Sequence, residues 1–361
     1  MRQIIRGWGL ILGVLLVVGW SVQPVVTKAG TGVSHYHKFF EWQTDMSGIS
    51  ALAWSPDSQQ LAATSNEILQ IWDASNGHMV NKMQVYSGPL VSLDWSPNGY
   101  ILATGGDEGT IRLWDAKQGR ELCVFLSPSE SLSIGILIVK WSPDGKMIAT
   151  GGYDGRVMLW DIAAGNGCRM VQPFVIPTIH PYPVQVVDWN RTGDRVMSMG
   201  LYNILPIWDA KTGQKRDEIQ CPFSYSANNP CIFLSADWSH DGKYIVASGE
   251  NGAVGFSKIW DVTTKESRDL IEMCTSAFSW MPKSNALVGW CDGQLEMFDA
   301  DTLQMIGTTD FAAGYWEKGQ DHLLNAYAIS PDGQRIAISY QAGDGMNAII
   351  QIFGVSPNGG G

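Results

Sequence analysis

Short apolar runs separated by turn residues recur along the chain, and the stretch KWSPDGKMIATGGYDGRVMLWDI at positions 140–162 shows the arrangement. The runs MIAT and RVMLWD are bounded by Ser-Pro-Asp-Gly and by a Gly-rich turn, a pattern typical of β-strands joined by tight hairpins. Leu159 and Trp160 fall on opposite faces of the second run, so both faces of that strand must be covered. The pattern predicts sheets of short strands that enclose one another.

The arrangement is repeated seven times, with two landmarks in each repeat. The first landmark is an opening residue that leads from one strand into a turn such as WSPDG; the opening residues are Trp54, Trp95, Trp141, Trp189, Trp238 and Trp280, with Ile329 in the seventh repeat. The second landmark is a closing pair that ends a later strand; the closing pairs are Trp72-Asp73, Trp114-Asp115, Trp160-Asp161, Trp208-Asp209, Trp260-Asp261, Phe298-Asp299 and Phe353-Gly354. Repeats of this kind are supersecondary units that bury their surfaces against one another.

Each unit contains four predicted strands, namely one before the turn, one after it, one that ends in the closing pair and one that runs on to the next unit. A four-stranded sheet covered on both faces by copies of itself is a propeller blade. The predicted fold is therefore all-β, a seven-bladed β-propeller of four-stranded antiparallel blades, preceded by an N-terminal apolar helix.

On these residues the sequence resembles the WD-repeat family over roughly residues 45–354, and the closing Trp-Asp with the Asp-Gly turn is the most specific part of the match. The resemblance implies a circular propeller that serves as an interaction platform. It assigns structural roles to the repeat residues, with packing for the aromatic residues and strand-end capping for the acids. These structural residues are Trp72, Asp73, Trp114, Asp115, Trp160, Asp161, Trp208, Asp209, Trp260, Asp261 and Asp299.

The family often links a His, a turn Asp and a strand Ser or Thr to the closing Trp through hydrogen bonds. Two units match three of these four positions; the matching sets are Thr150, Asp154 and Trp160, and His180, Ser198 and Trp208. Leu132 stands at the His spacing of the first set, and Tyr202 replaces the Asp of the second. Because neither set is complete, we expect packing to carry most of the stability.

Residues 1–29 differ from the rest of the chain. Arg2 and Arg6 precede an uncharged, largely apolar stretch from Gly7 to Thr27, and a basic start followed by an apolar run is typical of a secretory signal. A helix over residues 7–26 would also span a bilayer. A cleaved signal peptide and an uncleaved signal anchor, attached to a membrane through residues 7–27, both stay open. Either one predicts an exported propeller that is periplasmic, extracellular or membrane-anchored, outside the cytoplasm.

The two ends of the repeat region complement each other. The seventh unit stops soon after its third strand, AIIQIF, and so lacks an outer strand. Residues 34–45, SHYHKFFEWQTD, precede the first unit and have the composition of a strand. We expect this segment to fill the open edge and close the ring. The propeller domain then covers residues 34–355, and residues 356–361 form a tail.

Charge and cysteine content bear on the partners. The net charge is −11 and no cluster of Lys and Arg is visible, so we expect no nucleic-acid partner. Six cysteines fit an oxidising compartment without proving it. Cys221 and Cys231 flank the loop-like segment PFSYSANNP, and a disulfide or two buried thiols are both open there.

No catalytic motif is found, and we expect no cofactor and no metal. His35 and His37 share a strand face but lack a visible third ligand. Once the closing-pair and turn acids are set aside, the remaining acids show no pairing that suggests acid–base chemistry. The sequence therefore predicts a monomeric, non-catalytic scaffold that binds a protein of unknown identity.

A partner would bind at one rim of the ring, where the turns after the second strands and the links between units meet. The candidate rim residues are Asp107, Glu108, Tyr153, Tyr182, Tyr202, Trp290 and Trp316. Tyr and Trp anchor many interfaces, although such residues also fill loops against sheet edges. The alternative is a propeller enzyme or small-ligand binder, lactonase-like or sugar- or peptide-binding, that uses the central channel. Acidic or His side chains converging in the channel would favour that alternative.

Overall fold

The computed structural model describes residues 34–85, 88–128, 135–162, 174–176, 180–223, 231–252, 254–270, 278–291, 294–309, 324–341 and 347–355. These residues form β-strands, turns and loops and contain no helix. The predicted apolar helix within residues 1–29 and the predicted tail at 356–361 lie outside them, and so do Leu132 and Trp316.

The strands follow the predicted units, with four strands in each of the first three. Unit 1 contains β2 (Ala51–Trp54), β3 (Gln60–Ser65), β4 (Ile68–Asp73) and β5 (Met79–Gln84). Unit 2 contains β6 (Leu90–Trp95), β7 (Ile101–Gly106), β8 (Thr110–Asp115) and β9 (Arg120–Leu126). Unit 3 contains β10 (Ile136–Trp141), β11 (Met147–Gly152), β12 (Val157–Asp161) and β13 (Phe174–Val175).

The later units continue the pattern, and the last one takes its fourth strand from the start of the chain. Unit 4 contains β14 (Val184–Trp189), β15 (Arg195–Gly200), β16 (Ile204–Asp209) and β17 (Lys215–Gln220). Unit 5 contains β18 (Cys231–Trp238), β19 (Tyr244–Asn251), β20 (Val254–Asp261) and β21 (Ser267–Asp269). Unit 6 contains β22 (Phe278–Trp280), β23 (Ala286–Cys291), β24 (Gln294–Asp299) and β25 (Met305–Thr309). Unit 7 contains β26 (Leu324–Ile329), β27 (Arg335–Gln341), β28 (Ala348–Val355) and β1 (Ser34–Gln43).

The strands form five four-stranded sheets and one eight-stranded sheet. Each four-stranded sheet is antiparallel and runs in chain order from the first strand of its unit to the fourth. The eight-stranded sheet has the order β22-β23-β24-β25-β1-β28-β27-β26, so units 6 and 7 each contribute four antiparallel strands to it. The parallel pairing of β1 with β25 joins these two halves. The fold is therefore an all-β, propeller-like repetition of four-stranded antiparallel sheets.

The segment 34–45 contributes the outer strand of the last unit. In β1, Tyr36 pairs with Val355 and Trp42 pairs with Ile350 of the final strand, in antiparallel register. The Trp42 ring lies 5.9 Å from that of Trp72 in unit 1. The first described strand is thus fastened to the last one and packs against the first repeat.

The turn after each opening residue explains why these short strands fold back. In unit 3 the Ser142 hydroxyl donates to Asp144 at 2.7 Å, and the main-chain N–H of Met147 donates to the Ser142 hydroxyl at 2.9 Å. Gly145 completes the turn with φ of 68°, in the left-handed region that glycine favours. The motif therefore specifies the hairpin locally.

The hydrophobic core lies between neighbouring units. Leu113 and Phe125 of unit 2 pack with Trp141 and Ile148 of unit 3, and corresponding clusters join the other units. The first strands contact the first strands of adjacent units, so they face the centre of the ring. Burial between repeats rather than within them stabilises such an architecture.

Cys221 and Cys231 form a disulfide with a Cα–Cα distance of 6.1 Å. The bond links the segment after β17 to the first residue of β18, and so ties unit 4 to unit 5. Cys123 of β9 is disulfide-bonded as well. Of the two states that the sequence left open for Cys221 and Cys231, the structure contains the bonded one.

Candidate functional site

The predicted rim lies at the end of the units where the second strand turns into the third. Asp107 and Glu108 form that turn in unit 2 and Tyr153 lies in the same turn of unit 3, and all three residues are exposed. Desolvation, and then the negative charge of Asp107, raise the pKa of Tyr153. The Asp107 carboxylate and the Tyr153 phenol are therefore neighbours across two units.

Tyr182 and Tyr202 extend this surface onto unit 4, with ring centroids 6.4 Å apart. Tyr153 is 42% exposed and Tyr182 is 47% exposed. The turn of unit 3 meets this pair closely, because a Cβ atom added at Gly155 would collide with main-chain oxygens on the segment that carries Tyr182. The name tyrosine rim is used below for the surface formed by Asp107, Tyr153, Tyr182 and Tyr202.

Of the other candidate rim residues, those that the structure describes are not brought into this group. Glu108 turns toward Gly88 at the edge of unit 2. Trp290 belongs to β23 of unit 6, outside units 2–4, and the structure does not describe its side chain. Trp316 lies outside the described residues. The surface assembled from described residues thus spans units 2–4.

A buried hydrogen-bond chain supports the tyrosine rim from below. The indole N–H of Trp208 donates to the Ser198 hydroxyl at 2.7 Å, and that hydroxyl lies 2.8 Å from Nε2 of His180. Burial lowers the pKa of His180 to about 4, so the imidazole is neutral at pH 7 and its Nε2 shares one hydrogen bond with the Ser198 hydroxyl. Three of the predicted members are therefore linked.

The closing Trp of the preceding units makes the same first bond. Trp160 donates to Thr150 at 3.0 Å, as the sequence match suggested. Trp114 donates to Thr104 at 2.9 Å, a bond that the sequence analysis missed although the two residues have the same spacing as Thr150 and Trp160. These bonds fix the third strand against the second.

The acids of the closing pairs act as local caps. Asp73 accepts from the main-chain N–H of Ser75 at 2.8 Å, and Asp209 accepts from that of Thr212 at 2.7 Å. An ion pair with Arg216 holds the pKa of Asp209 well below its usual range. These carboxylates are committed to turns and are not free for chemistry.

Three carboxylates and one lysine converge at the centre of the ring, contrary to the expectation that the remaining acids are unpaired. Asp94, Lys140, Asp188 and Asp237 each stand immediately before the opening Trp of their unit. The charges of Asp94, Asp188 and Asp237 together raise the pKa of Lys140, which places all four groups near one another. The signal was the shared position of a charged residue before Trp, in LDW, VKW, VDW and ADW.

The three carboxylates at the centre of the ring, Asp94, Asp188 and Asp237, are called the channel carboxylates. Each accepts a hydrogen bond from a main-chain N–H group of the next unit. Asp94 accepts from the N–H of Trp141 at 2.7 Å, and Asp237 accepts from the N–H of Trp280 at 2.7 Å. Asp188 accepts from the N–H of Trp238 at 3.2 Å.

At other junctions the opening Trp instead donates its indole N–H to a main-chain oxygen of the preceding unit. The distances are 3.0 Å from Trp54 to Ala328, 3.1 Å from Trp95 to Ala53 and 3.1 Å from Trp189 to Lys140. Between units 6 and 7 the Ser279 and Tyr327 hydroxyls lie 3.0 Å apart.

Protonation in the channel is shifted by this crowding. Desolvation, and then the charge of the neighbouring Asp188, raise the pKa of Asp237 to about 8, and the two carboxyl groups hydrogen-bond to each other. Desolvation also raises the pKa values of Asp94 and Asp188. Among the described residues no group of three or more acidic, His or Cys side chains is arranged to hold a metal ion.

Comparison with known proteins identifies one matching family. A family model described as "Nucleolar protein 10-like, N-terminal domain" matches residues 47–256, which is more than half of the chain. The match begins just before the first strand of unit 1 and ends within unit 5.

Several curated relatives match as well, two of them over more than 300 residues. "Cell division cycle 20.1, cofactor of APC complex" of Arabidopsis thaliana is 23% identical over 316 residues, which are 85% of this chain and 64% of that protein. "Periodic tryptophan protein 2 homolog" of Dictyostelium discoideum is 23% identical over 309 residues, which are 82% of this chain and 31% of that protein. "Eukaryotic translation initiation factor 3 subunit I" of Aspergillus niger is 25% identical over 201 residues, which are 54% of this chain and 44% of that protein. The chain spans less than two thirds of the length of each of these relatives.

These findings overturn the expectation of export. The matching family is named for the nucleolus, and the relatives are named for the cell division cycle and for translation initiation, which are settings inside the cell. The prediction of a periplasmic, extracellular or membrane-anchored propeller is therefore wrong. A basic start followed by an apolar run is a compositional pattern and does not by itself establish export. Within the described part of the chain, no helix is long and apolar enough to cross a membrane.

Proposed function

Because the chain belongs to the family of nucleolar protein 10-like N-terminal domains, a β-propeller family of the WD-repeat kind, we propose that it is a non-catalytic scaffold. In this proposal the tyrosine rim is the surface that a partner protein contacts. The relatives support such a role by their names, since one is a cofactor of a complex and another is a subunit of a translation factor. The chain would serve one protein assembly in the same way.

The exposure of Tyr153 and Tyr182 is the observation that carries this proposal. Two large aromatic side chains stand more than 40% exposed on a turn and a link that are otherwise firmly held. The buried His180–Ser198–Trp208 chain beneath them reduces the conformational freedom that a partner would otherwise have to restrict. Tyr is among the residue types that contribute most to protein interfaces.

The architecture behind the rim is part of the proposal. If the eight-stranded sheet is counted as two blades joined through β1, the ring has seven blades and the propeller domain covers residues 34–355. A ring closed by its own first strand presents no long free edge, which favours a monomer.

The channel alternative is less well supported, although acidic side chains do converge there. Each channel carboxylate already accepts a main-chain N–H of the next unit, so its removal would damage the ring before it affected a ligand. A catalytic or ligand-binding acid would instead be directed at open space. We therefore prefer the scaffold and propose no reaction.

Replacing the two exposed tyrosines tests the scaffold proposal. Affinity capture is carried out from cells that express either the unchanged chain or the Tyr153→Ala/Tyr182→Ala chain. The amount of partner protein recovered with the variant should be lower by roughly tenfold or more. Tyr100→Ala is the matched control, because Tyr100 is 71% exposed but lies in a turn at the other end of unit 2. Equal recovery of the same partners with both variants, at unchanged melting temperature, would show that the rim is not the binding surface.

A further inference from the structure

The face opposite the tyrosine rim carries a local reversal of charge. There the turns after the opening residues meet, and in units 1, 2, 3 and 7 their second and third positions are Pro followed by Asp or Asn. Units 4, 5 and 6 differ in succession, since Arg191 and His240 replace Pro and Lys283 replaces Asp. Three consecutive departures toward positive charge are notable in a chain whose net charge is −11.

The structure brings these three residues together. All three are exposed, and Arg191 Nη1 donates to the main-chain oxygen of His240 at 3.4 Å. Desolvation and the positive charges of Arg191 and Lys283 lower the pKa of His240, against an opposing effect of Asp241. The three side chains therefore form one patch across the turns of units 4 to 6, in which Arg191 and Lys283 are cationic and His240 is a neutral hydrogen-bonding group at pH 7.

A groove of about 440 Å³ lies within this patch, between units 5 and 6. His240, Lys243, Lys283 and Asn285 line its walls. Its floor contains the stacked rings of Tyr244 and Trp280, whose centroids are 6.3 Å apart. The volume suits a few side chains of a peptide rather than a folded domain.

The charges around the groove are only partly neutralised. Asp241 pairs with Lys243 at 3.2 Å, and Asp301 is exposed at the groove. Arg268 lies over the Tyr244 ring at 5.6 Å and donates to the main-chain oxygen of Asp301 at 3.3 Å.

Among the described residues Arg191 and Lys283 have no carboxylate within ion-pair distance, and neither does Arg268. These guanidinium and ammonium groups keep free donors for an anionic ligand.

Lys283 is held in an unusual backbone conformation. Its φ is 61°, in the left-handed region, whereas in the neighbouring unit the left-handed residue of the turn is Gly242. Residues with a side chain seldom occupy this region, and among the described residues Ser58, Asn66, Lys265 and Leu303 are the other non-glycine examples. The conformation presents an unpaired ammonium at the groove where a glycine would have given an easier turn.

We propose that this groove binds an acidic peptide segment of a partner protein. Carboxylate or phosphate groups of the peptide lie between Arg191, His240 and Lys283. The patch is short and is flanked by Asp241 and Asp301, so it can match a few anionic groups of a peptide but not the extended charge of a long polyphosphate such as RNA. No base-stacking surface is offered, since Trp280 is buried and Arg268 covers Tyr244.

Fluorescence anisotropy with the full chain tests the proposal. The labelled probes are a short Glu-rich peptide, the same peptide with phosphoserine at the acidic positions, the same peptide with Gln, and an RNA oligonucleotide of equal length. We expect one or both anionic peptides to bind, the Gln peptide to fail, and added salt to weaken binding. Binding of the phosphoserine peptide alone identifies phosphate as the recognised group, and binding of both shows that a carboxylate suffices.

Variants of Lys283 make the test specific. Lys283→Glu and Lys283→Gly should each lower the affinity for the acidic peptide by about tenfold or more. Lys283→Gly also keeps the left-handed turn accessible, which guards against a failure to fold. Lys146→Glu is the matched control in the turn region of unit 3 and should leave binding unchanged. The Tyr153→Ala/Tyr182→Ala variant should bind the peptide normally, which separates this groove from the tyrosine rim.

The proposal is overturned if the Gln peptide binds as well as the acidic peptides. It is also overturned if RNA binds more tightly than either peptide, or if Lys283→Glu and Lys146→Glu have the same affinity.

Discussion

Neighbouring units are joined at the centre of the ring in two chemically different ways. At the junction of units 2 and 3, the Asp94 carboxylate accepts the main-chain N–H of Trp141, and the indole N–H of Trp141 is left without a partner. At the junction of units 3 and 4, the indole N–H of Trp189 donates to the main-chain oxygen of Lys140. The aromatic packing is similar in both cases, but the hydrogen bonds differ. In the first junction a main-chain N–H donates to a carboxylate, and in the second an indole N–H donates to a main-chain oxygen.

At the junctions that lead into an opening Trp, the type of junction follows the residue that precedes the opening position of the unit before. Where the residue before the opening Trp is Asp, the next unit is held through its main chain; where it is Ala or Lys, the next unit is held through its indole. A bond to a charged acceptor is worth about 1.5–3 kcal/mol, and an unpaired buried donor costs about 1–3 kcal/mol, so the two solutions come out nearly equal. The carboxylate junctions differ in one further respect, which is that they can titrate.

The largest expected effect is at the junction that closes the ring. A chain that begins at Met46 lacks β1, which joins units 6 and 7 and packs on unit 1. Loss of the buried surface of Tyr36, Phe40 and Trp42 should lower the free energy of unfolding by roughly 4–8 kcal/mol. Urea unfolding of this chain and of one beginning at Gly30 measures the difference, and identical midpoints would contradict the closure described here.

Asp94→Ala should destabilise the protein by about 2–4 kcal/mol. It leaves the N–H of Trp141 unpaired and removes a compensating charge from Lys140. Asp94→Asn is the control, because its amide oxygen can still accept the N–H, and it should cost less. Urea denaturation of both variants gives the values. Equal costs would mean that the acceptor is not what holds this junction.

The carboxylate junctions should make stability depend on pH. Asp237 keeps its proton to about pH 8 when folded, whereas an unfolded Asp loses it near pH 4. The folded state therefore binds more protons between these values, and stability falls as the pH rises through this window.

In Asp237→Asn the contribution of this carboxyl group to the pH dependence should disappear, while Asp94 and Asp188 keep theirs. The melting temperature of the unchanged chain should fall by roughly 2–4 °C relative to the variant between pH 6 and pH 9. Comparing the two chains at each pH cancels the opposite effect of His180, which loses stability as the pH falls from 6.5 toward 4. A difference that stays constant over this range would rule out a proton on Asp237.

The smallest effect separates the two junctions by the indole alone. Trp189→Phe removes a hydrogen bond, whereas Trp238→Phe removes an N–H that has no partner. Both variants lose similar packing, so Trp189→Phe should cost about 1 kcal/mol more. Thermal unfolding of the two variants measures this difference in stability. A larger loss for Trp238→Phe would reverse the assignment of the two junction types.

The sequence predicted those features that depend on neighbouring residues. Ser142, Asp144 and Gly145 specify their hairpin within one turn, and the recurring closing pairs gave the repeat and hence the sheets. The outer strand at 34–45 could be anticipated because the last unit lacked one. The disulfide between Cys221 and Cys231 stood as one of two options, because both states fit a buried cysteine.

The charged groups at the centre of the ring and the groove between units 5 and 6 were not predicted from the sequence, and the reason is physical. Asp94 and Lys140, or Arg191 and His240, lie one whole unit apart in the chain, and only the curvature of the ring makes them neighbours. Each looks like an isolated substitution until the units are placed side by side. The tyrosine rim was partly foreseen, since its turns share one end of every unit, but which aromatics would meet depended on the links between units.

The pairing of β1 with β28 has a consequence for synthesis on the ribosome. Translation adds about 5–20 residues per second, so β1 emerges roughly 15–60 seconds before the strand that receives it. During that interval Phe39, Phe40 and Trp42 are part of an unpaired aromatic strand while units 1 to 6 are already able to fold. The nascent chain is then an open array of units with an exposed, unpaired aromatic strand at one end. A chaperone that shields this segment until release would protect the chain from aggregation.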